Sequence, residues 1–265
     1  QVHESGRLFV PVPIPDPHVA GASALFAQPL SGRFRIENLF SADPLGFLLT
    51  ARDQTTGQAV LVKAVRTAAV PLPPGIPDRA AAIAAEGRRL RHELQTERRL
   101  LVRLRNAGCL AVPCPVDFVY DLNPELVALG VEPAFAAAEP YLILPHLAGT
   151  TLEQVLDRDF PGGMPERLAL ETLRPVVAVL AALHEPWQLA SGHVWSCIYE
   201  DLKPANILID RAGRPTLLDF GGCQVIVDGT PVLPGGCTPG YAPPECLGPT
   251  RVLLPCTDVY TIGAT

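Results

Sequence analysis

Ile198-Tyr199-Glu200-Asp201-Leu202-Lys203-Pro204-Ala205-Asn206-Ile207-Leu208 is the stretch on which the fold turns. A polar cluster stands there between apolar flanks, with Asp201, Lys203 and Asn206 spaced by two and three residues. Polar side chains on a loop held between apolar segments are the composition of a functional loop. Asp201 can accept a hydroxyl proton, Lys203 can neutralise a phosphate, and Asn206 can ligate a hard cation through its amide oxygen. Downstream, Leu217-Leu218-Asp219-Phe220-Gly221-Gly222 ends a strand with a carboxylate and flexible glycines. A second metal-ligating oxygen fits at Asp219, and so does an ordinary turn without chemistry.

Working outward, all but two of the 21 basic residues are arginine, and the two lysines are Lys63 and Lys203. Lysine is a compact point charge and arginine a planar fork, so a chain this rich in arginine that keeps lysine at two places suggests that both places need it; chance retention is the alternative. Lys63 lies in Ala59-Val60-Leu61-Val62-Lys63-Ala64-Val65, the clearest strand of the chain. Further on, Leu90, Leu94, Glu97, Leu101 and Leu104 follow steps of four and three, which sets Glu97 inside the apolar stripe of a helix. A carboxylate there needs a partner, as does a lysine on an apolar strand, so Lys63 and Glu97 are natural mates. Equally consistent with the spacing is a glutamate at the stripe's edge that reaches solvent.

Residues 1–31 carry Pro11, Pro13, Pro15, Pro17 and Pro29 with little periodicity, the pattern of an extended linker. From Phe34 to Val65, short β-rich runs broken by Asp43-Pro44 and Thr56-Gly57 predict a small antiparallel sheet. After the breaker Pro71-Leu72-Pro73-Pro74-Gly75, a long helix is expected from near Asp78, its N-cap, to Ala107. Strands follow near Val116–Tyr120 and Tyr141–Leu144, separated by an Ala/Pro-rich loop. Helices are expected at Leu152–Asp157 and Pro165–Leu183, with Pro175 kinking the second or starting a new one. Two short strands, Ile207–Ile209 and Thr216–Leu218, flank a turn at Ala212-Gly213-Arg214. A strand-rich part with one helix, then a helix-rich part, predicts an α+β protein of two lobes. The expected boundaries are a linker over 1–31, a first lobe over 32–144 and a second over 145–265.

Composition narrows the function. A formal net charge of −6 supplies no overall basic field, which disfavours nucleic acid or an anionic membrane as the main partner. The longest apolar stretch, Val176 to Leu183, is far short of the roughly 20 residues a membrane span needs, so the segment is expected to be soluble and cytoplasmic. The seven cysteines contain no CxxC pair, which supports neither a zinc ribbon nor a disulfide framework; reduced thiols are expected. Gln1 at the start, Met164 as the one methionine and an apolar end without a helix stop suggest a fragment.

Taken in order, Lys63 in a strand, Glu97 on the next helix, DLKPAN at 201–206, DFG at 219–221, TPGYAPPE at 238–245 and TDVYTIGA at 257–264 resemble the motif set of bacterial (Hanks-type) Ser/Thr protein kinases. The resemblance implies a kinase-like fold: a small antiparallel-sheet N-lobe with one long helix, and a mainly helical C-lobe, here incomplete. By it, Lys63 would hold the α/β-phosphates of ATP and pair with Glu97, Asp201 would orient or deprotonate the acceptor hydroxyl, and Lys203 would stabilise the transferring phosphoryl group. Asn206 and Asp219 would ligate Mg²⁺, Leu208 would floor the adenine pocket, the backbone near Leu147 would meet the adenine edge, and Asp258 would brace the catalytic loop. Lys203 and Thr238 match the Ser/Thr subclass, so the implied partner is a protein substrate bearing Ser or Thr.

Departures are specific. The glycine-rich phosphate loop falls on Ser41-Ala42-Asp43-Pro44-Leu45-Gly46 and Leu48, keeping only the last glycine. Pro44 removes a backbone donor and Asp43 adds negative charge near phosphate. Leu61 stands where the family has the alanine that packs on adenine, and would narrow the pocket. The His-Arg-Asp motif reads Tyr199-Glu200-Asp201, so an acid replaces the arginine that clamps a phosphorylated loop, and activity independent of a loop phosphate is expected. Three functions are open: a Ser/Thr protein kinase, a pseudokinase scaffold with weak or no ATP binding, and a small-molecule phosphotransferase, which TPGYAPPE disfavours.

Overall fold

Alternation along Ala59–Val65 places Val60, Val62 and Ala64 in a buried layer and Leu61 and Lys63 on the opposite face. A computed structural model of the chain describes residues 28–42, 45–65, 77–122, 138–232, 236–247 and 254–265. The Pro-rich stretch before residue 28, Asp43-Pro44, the breaker at 71–75 and the loop over 123–137 lie outside the described residues. The chain divides into two units, residues 1–98 with 115–146, and residues 99–114 with 147–265.

In the first unit, β1 (Phe34–Ala42), β2 (Gly46–Asp53), β3 (Ala59–Val65), β4 (Asp117–Leu122) and β5 (Ala138–Pro145) form an antiparallel sheet of order β1-β2-β3-β5-β4. Phe34, Ile36, Phe47, Leu49, Val60, Val62, Tyr141 and Ile143 make its core. The β2–β3 turn is tied by Asp53, which accepts the Thr55 N–H at 2.9 Å and the Thr56 hydroxyl at 2.9 Å. Arg33 grips the same carboxylate with two N–H groups, at 2.9 and 2.8 Å, and reaches Asp117 at 3.0 Å. That double hydrogen bond from Arg33 holds the Asp53 carboxyl well below the usual carboxylate range.

Helix α1 (Arg79–Asn106) starts as expected, with the Asp78 carboxylate accepting the Ala81 N–H at 2.9 Å. It ends at Gly108, whose φ of 84° lets the Cys109 N–H turn back to the Leu104 carbonyl at 2.9 Å.

The second unit contains α2 (Leu152–Asp159), α3 (Glu166–His184), α4 (Pro244–Leu247) and α5 (Pro255–Ala264). Thr151 and Gln154 close a capping box on α2. Helix α3 continues through Pro175 as one element, so no second helix starts there. Burial of Thr172, Val176, Val179, Leu180 and Leu183 on both sides of the proline offsets its roughly 3 kcal/mol helix penalty.

Two small sheets accompany these helices. The first has order β10-β9-β6, from β6 (Thr150–Thr151), β9 (Ile207–Ile209) and β10 (Pro215–Leu217); Gly213, at φ 77°, makes the expected β9–β10 turn. The second has order β12-β11-β8-β7, from β7 (Trp187–Gln188), β8 (Val194–Ile198), β11 (Gln224–Val227) and β12 (Thr230–Pro231). This second sheet, whose strands run from two to five residues, was not anticipated from the sequence. Among the described residues no helix is long and apolar enough to cross a membrane.

Candidate active site

The sheet of the first unit sets Gly46 and Leu48 of β2 beside Leu61 and Lys63 of β3. Leu48 is directly opposite Lys63, Gly46 opposite Val65, and Leu61 opposite both Thr50 and Leu144. Cross-strand partners project from one face, so all four predicted residues share the face that turns away from the core. Gly46 has a local reason to be glycine: a Cβ there would stand 2.8 Å from the Ala64 carbonyl oxygen.

Lys63 Nζ lies 2.8 Å from Glu97 Oε2, with the lysine side chain 28% exposed and the glutamate 2%. The two charges that the sequence placed on a strand and a helix therefore satisfy each other. One turn earlier on α1, Glu93 was not anticipated. Arg89 bridges Glu86 and Glu93, and burial pushes the Glu93 carboxyl up against the opposing pull of Arg89 and, more weakly, Lys63. The available signal was its spacing, four residues before Glu97.

In the second unit the polar loop is wired to the later TPGYAPPE segment. Lys203 Nζ donates to Asp201 Oδ2 at 2.9 Å and to the Thr238 hydroxyl oxygen at 2.7 Å, while the Thr238 hydroxyl donates to Asp201 Oδ1. Asn206 Nδ2 donates to the Asp201 carbonyl at 2.8 Å and to Asp201 Oδ2 at 3.2 Å, which turns its amide nitrogen toward Asp201. Asp201, Lys203, Asn206 and Thr238 thus form one hydrogen-bonded cluster.

Its scaffold is buried. Asp258 on α5 accepts the backbone N–H groups of Tyr199 at 2.9 Å and Glu200 at 2.8 Å, and lies 2.7 Å from His184 Nε2 at the end of α3. The Tyr199 hydroxyl donates to the Leu218 carbonyl, its ring meets Phe220 edge-on at 5.4 Å, and the Leu218 N–H bonds the Asn206 carbonyl at 2.8 Å. Asp219, at φ 55°, follows directly from that anchored residue. Glu200, on the position where the resemblance has an arginine, is buried and held at φ 66°.

Leu208, on β9, is paired with Thr151 and Thr216. Leu147 is half-buried in the extended stretch before β6, and Gly149 there permits the closest approach: a Cβ would be 2.5 Å from the Ile209 carbonyl oxygen and 2.9 Å from Leu208 Cγ. Sequence reasoning missed Gly149 and the Tyr199–Leu218 bond. Among the described residues no group of three or more His, Cys, Asp or Glu side chains could hold a metal ion. The hard oxygen donors Asn206 and Asp219 suit an ion that takes its remaining ligands from phosphate and water.

An antiparallel sheet bearing a Lys–Glu pair, followed by an Asp-Lys-Asn loop braced from a later helix and an Asp-Phe-Gly turn, is the architecture of a kinase-type domain. The family model of the protein kinase domain matches residues 130–265, and the chain belongs to that family. A serine/threonine-protein kinase PknA of Mycobacterium tuberculosis is 27% identical over 239 residues, 88% of this chain and 46% of that protein. PknK of the same species is 30% identical over 149 residues, 54% of this chain and 12% of its own length. PknB of Mycobacterium leprae is 28% identical over 148 residues, 53% of this chain and 22% of its own. The chain spans less than half the length of these curated relatives.

Proposed function

We propose that this chain is the catalytic domain of a cytoplasmic signalling Ser/Thr protein kinase, which transfers the γ-phosphoryl group of ATP to Ser or Thr hydroxyls of a protein substrate. The observation that carries this reading is the cluster of Asp201, Lys203 and Thr238, joined by three hydrogen bonds. Asp201, steadied by Lys203 and Asn206, accepts the proton of the acceptor hydroxyl. Lys203 offsets charge on the transferring group, and Lys63, oriented by Glu97, holds the α/β-phosphates. Asn206 and Asp219 would hold Mg²⁺, which when bound would neutralise phosphate charge. The resemblance assigns nucleotide contacts to Gly46, Leu48 and Leu61 in the first unit and to Leu208 and the backbone near Leu147 in the second. A scaffold would have no physical reason to wire Asp201, Lys203 and Thr238 together.

The test is Mg²⁺-dependent ATP binding by calorimetry, followed by phosphoryl transfer to a protein substrate. Lys63→Met and Asp219→Asn should both abolish binding. Asp201→Asn should bind normally and lose roughly 10²- to 10⁴-fold in transfer. Transfer by Asp201→Asn at the unaltered rate would refute the assignment, and failure of the folded protein to bind ATP would turn it toward a scaffold.

A further inference from the structure

Cys237 directly precedes Thr238, whose hydroxyl is bonded to Asp201 and Lys203. Its Sγ lies 3.9 Å from the carbonyl oxygen of Cys246, an atom two bonds from the Cys246 Cα. Cys246 is buried with Ile198 and Ala242, and half-buried Cys237 packs against the same cluster. Ile198 in turn ends β8, the strand that leads into the Asp201 loop. Two thiols therefore bracket the segment 238–245, one half-buried and one enclosed, with Cys237 adjoining Thr238.

We infer that Cys237 and Cys246 form a redox modification site, closing to a disulfide that draws Thr238 away from Asp201 and Lys203. The co-reactant is a low-molecular-weight disulfide such as glutathione disulfide. The Cys237 thiolate attacks one of its sulfurs, the S–S bond breaks, and one glutathione thiolate leaves. Cys246 gives up its proton, attacks the Cys237 sulfur and expels the second glutathione thiolate. Two cysteine thiols are oxidised, one external disulfide is reduced to two thiols, and those thiols take up the protons. Cys237 is the attacking residue because it is the more exposed of the two, and Cys246 is the resolving residue because its carbonyl oxygen, 3.9 Å from the Cys237 sulfur, brings that stretch of chain near it. A disulfide requires the two Cα atoms to come within about 7 Å, which the close approach of sulfur to backbone favours.

The effect on phosphoryl transfer rests on the catalytic reading above, whereas bond formation does not, so the experiment separates them. The reduced chain is incubated with glutathione disulfide, remaining thiols are alkylated, and the intact mass and unreduced peptides are read. Alkylated under denaturing conditions, the oxidised chain should carry two fewer alkyl groups than the reduced chain and yield a linked peptide pair containing Cys237 and Cys246. Cys237→Ser and Cys246→Ser should each abolish the linkage, and Cys223→Ser should leave it in place. Cys223 is the competing partner, because the Gly236 N–H donates to the Gly222 carbonyl at 3.2 Å beside it. A bond from Cys237 to Cys223, or a glutathione adduct that Cys246 never displaces, overturns the inference. Oxidation should also slow transfer by roughly ten- to a hundredfold, reversibly with a dithiol reductant and not in Cys237→Ser. A Cys237–Cys246 bond that leaves the rate unchanged would overturn the control of Thr238, and a chain inactive in both redox states would count against the catalytic reading instead.

Discussion

Asp258 is the residue whose removal the geometry prices most directly. Its carboxylate is completely buried and accepts two backbone N–H groups, from Tyr199 and Glu200, with His184 Nε2 as a third neighbour. Replacing it with alanine leaves two enclosed backbone donors without an acceptor, each at about 1–3 kcal/mol, and deprives His184 of its partner. The expected destabilisation is about 4 kcal/mol, which for a chain of this size lowers Tm by roughly 8–16 °C. Asp258→Asn keeps one acceptor oxygen and turns an amide N–H₂ toward the other donor, so it should lose about half as much. Thermal unfolding followed by circular dichroism on the wild-type and both variants reads the series. If Asp258→Ala melts within about 2 °C of the wild type, the two N–H groups have other acceptors and the reasoning fails.

Gly149→Ala would press a methyl group 2.5 Å from the Ile209 carbonyl, where backbone must move, so Tm should drop by an amount worth about 1–3 kcal/mol; an unchanged Tm would contradict the close approach. Arg33→Gln should lower stability near neutral pH and have less effect in acid. The Asp53 carboxyl is depressed in the folded state, so its contribution is complete above the unfolded value of about 4 and is lost as pH falls toward the lower folded value. The gap between the two Tm curves should therefore narrow below about pH 4, and a gap that stays constant down to pH 2 would refute the linkage. Thr230→Ala, on the exposed strand β12, should leave phosphoryl transfer unchanged; a large loss would show dependence on a loop phosphate. Cys197, whose thiol burial pushes up to about 12, should be the last cysteine alkylated at neutral pH, after exposed Cys114 and Cys256; early labelling would contradict its enclosure.

How much the sequence disclosed follows from the range of each interaction. The Asp201, Lys203 and Asn206 group was legible because it fits inside six residues, and Glu97 because helical spacing marks a carboxylate in an apolar stripe. The strands of the first unit and helix α1 were legible for the same reason, since each is long enough to show its period. Thr238 joins the cluster from 35 and 37 residues away, and Asp258 reaches Glu200 and Tyr199 across 58 and 59. No local period encodes such contacts, so only the resemblance pointed to Asp258, while the Tyr199 hydroxyl bond and the fit of Gly149 were invisible. At Pro175 the sequence left a kink or a new helix open, and burial on both sides keeps α3 one element.

Two of these long contacts explain an otherwise costly backbone. Left-handed φ values at non-glycine residues cost on the order of 1–3 kcal/mol and persist only where the surroundings over-determine them. Asp219, at 55°, is of a residue type that tolerates this region, and the Tyr199–Leu218 and Leu218–Asn206 bonds fix the residue before it. Glu200, at 66°, has no such tolerance, and its own N–H is the group held by Asp258. Of the four non-glycine residues with positive φ among the described residues, Ser31, Glu200, Asp219 and Asp228, Glu200 adjoins Asp201 and Asp219 carries its own carboxylate, the two carboxylates that the proposed function uses. A regular backbone would be more stable at either position. The chain instead fastens both bends from α5 and from Tyr199, so under the proposed function the stability of Asp258 variants and their phosphoryl transfer become two readings of one constraint.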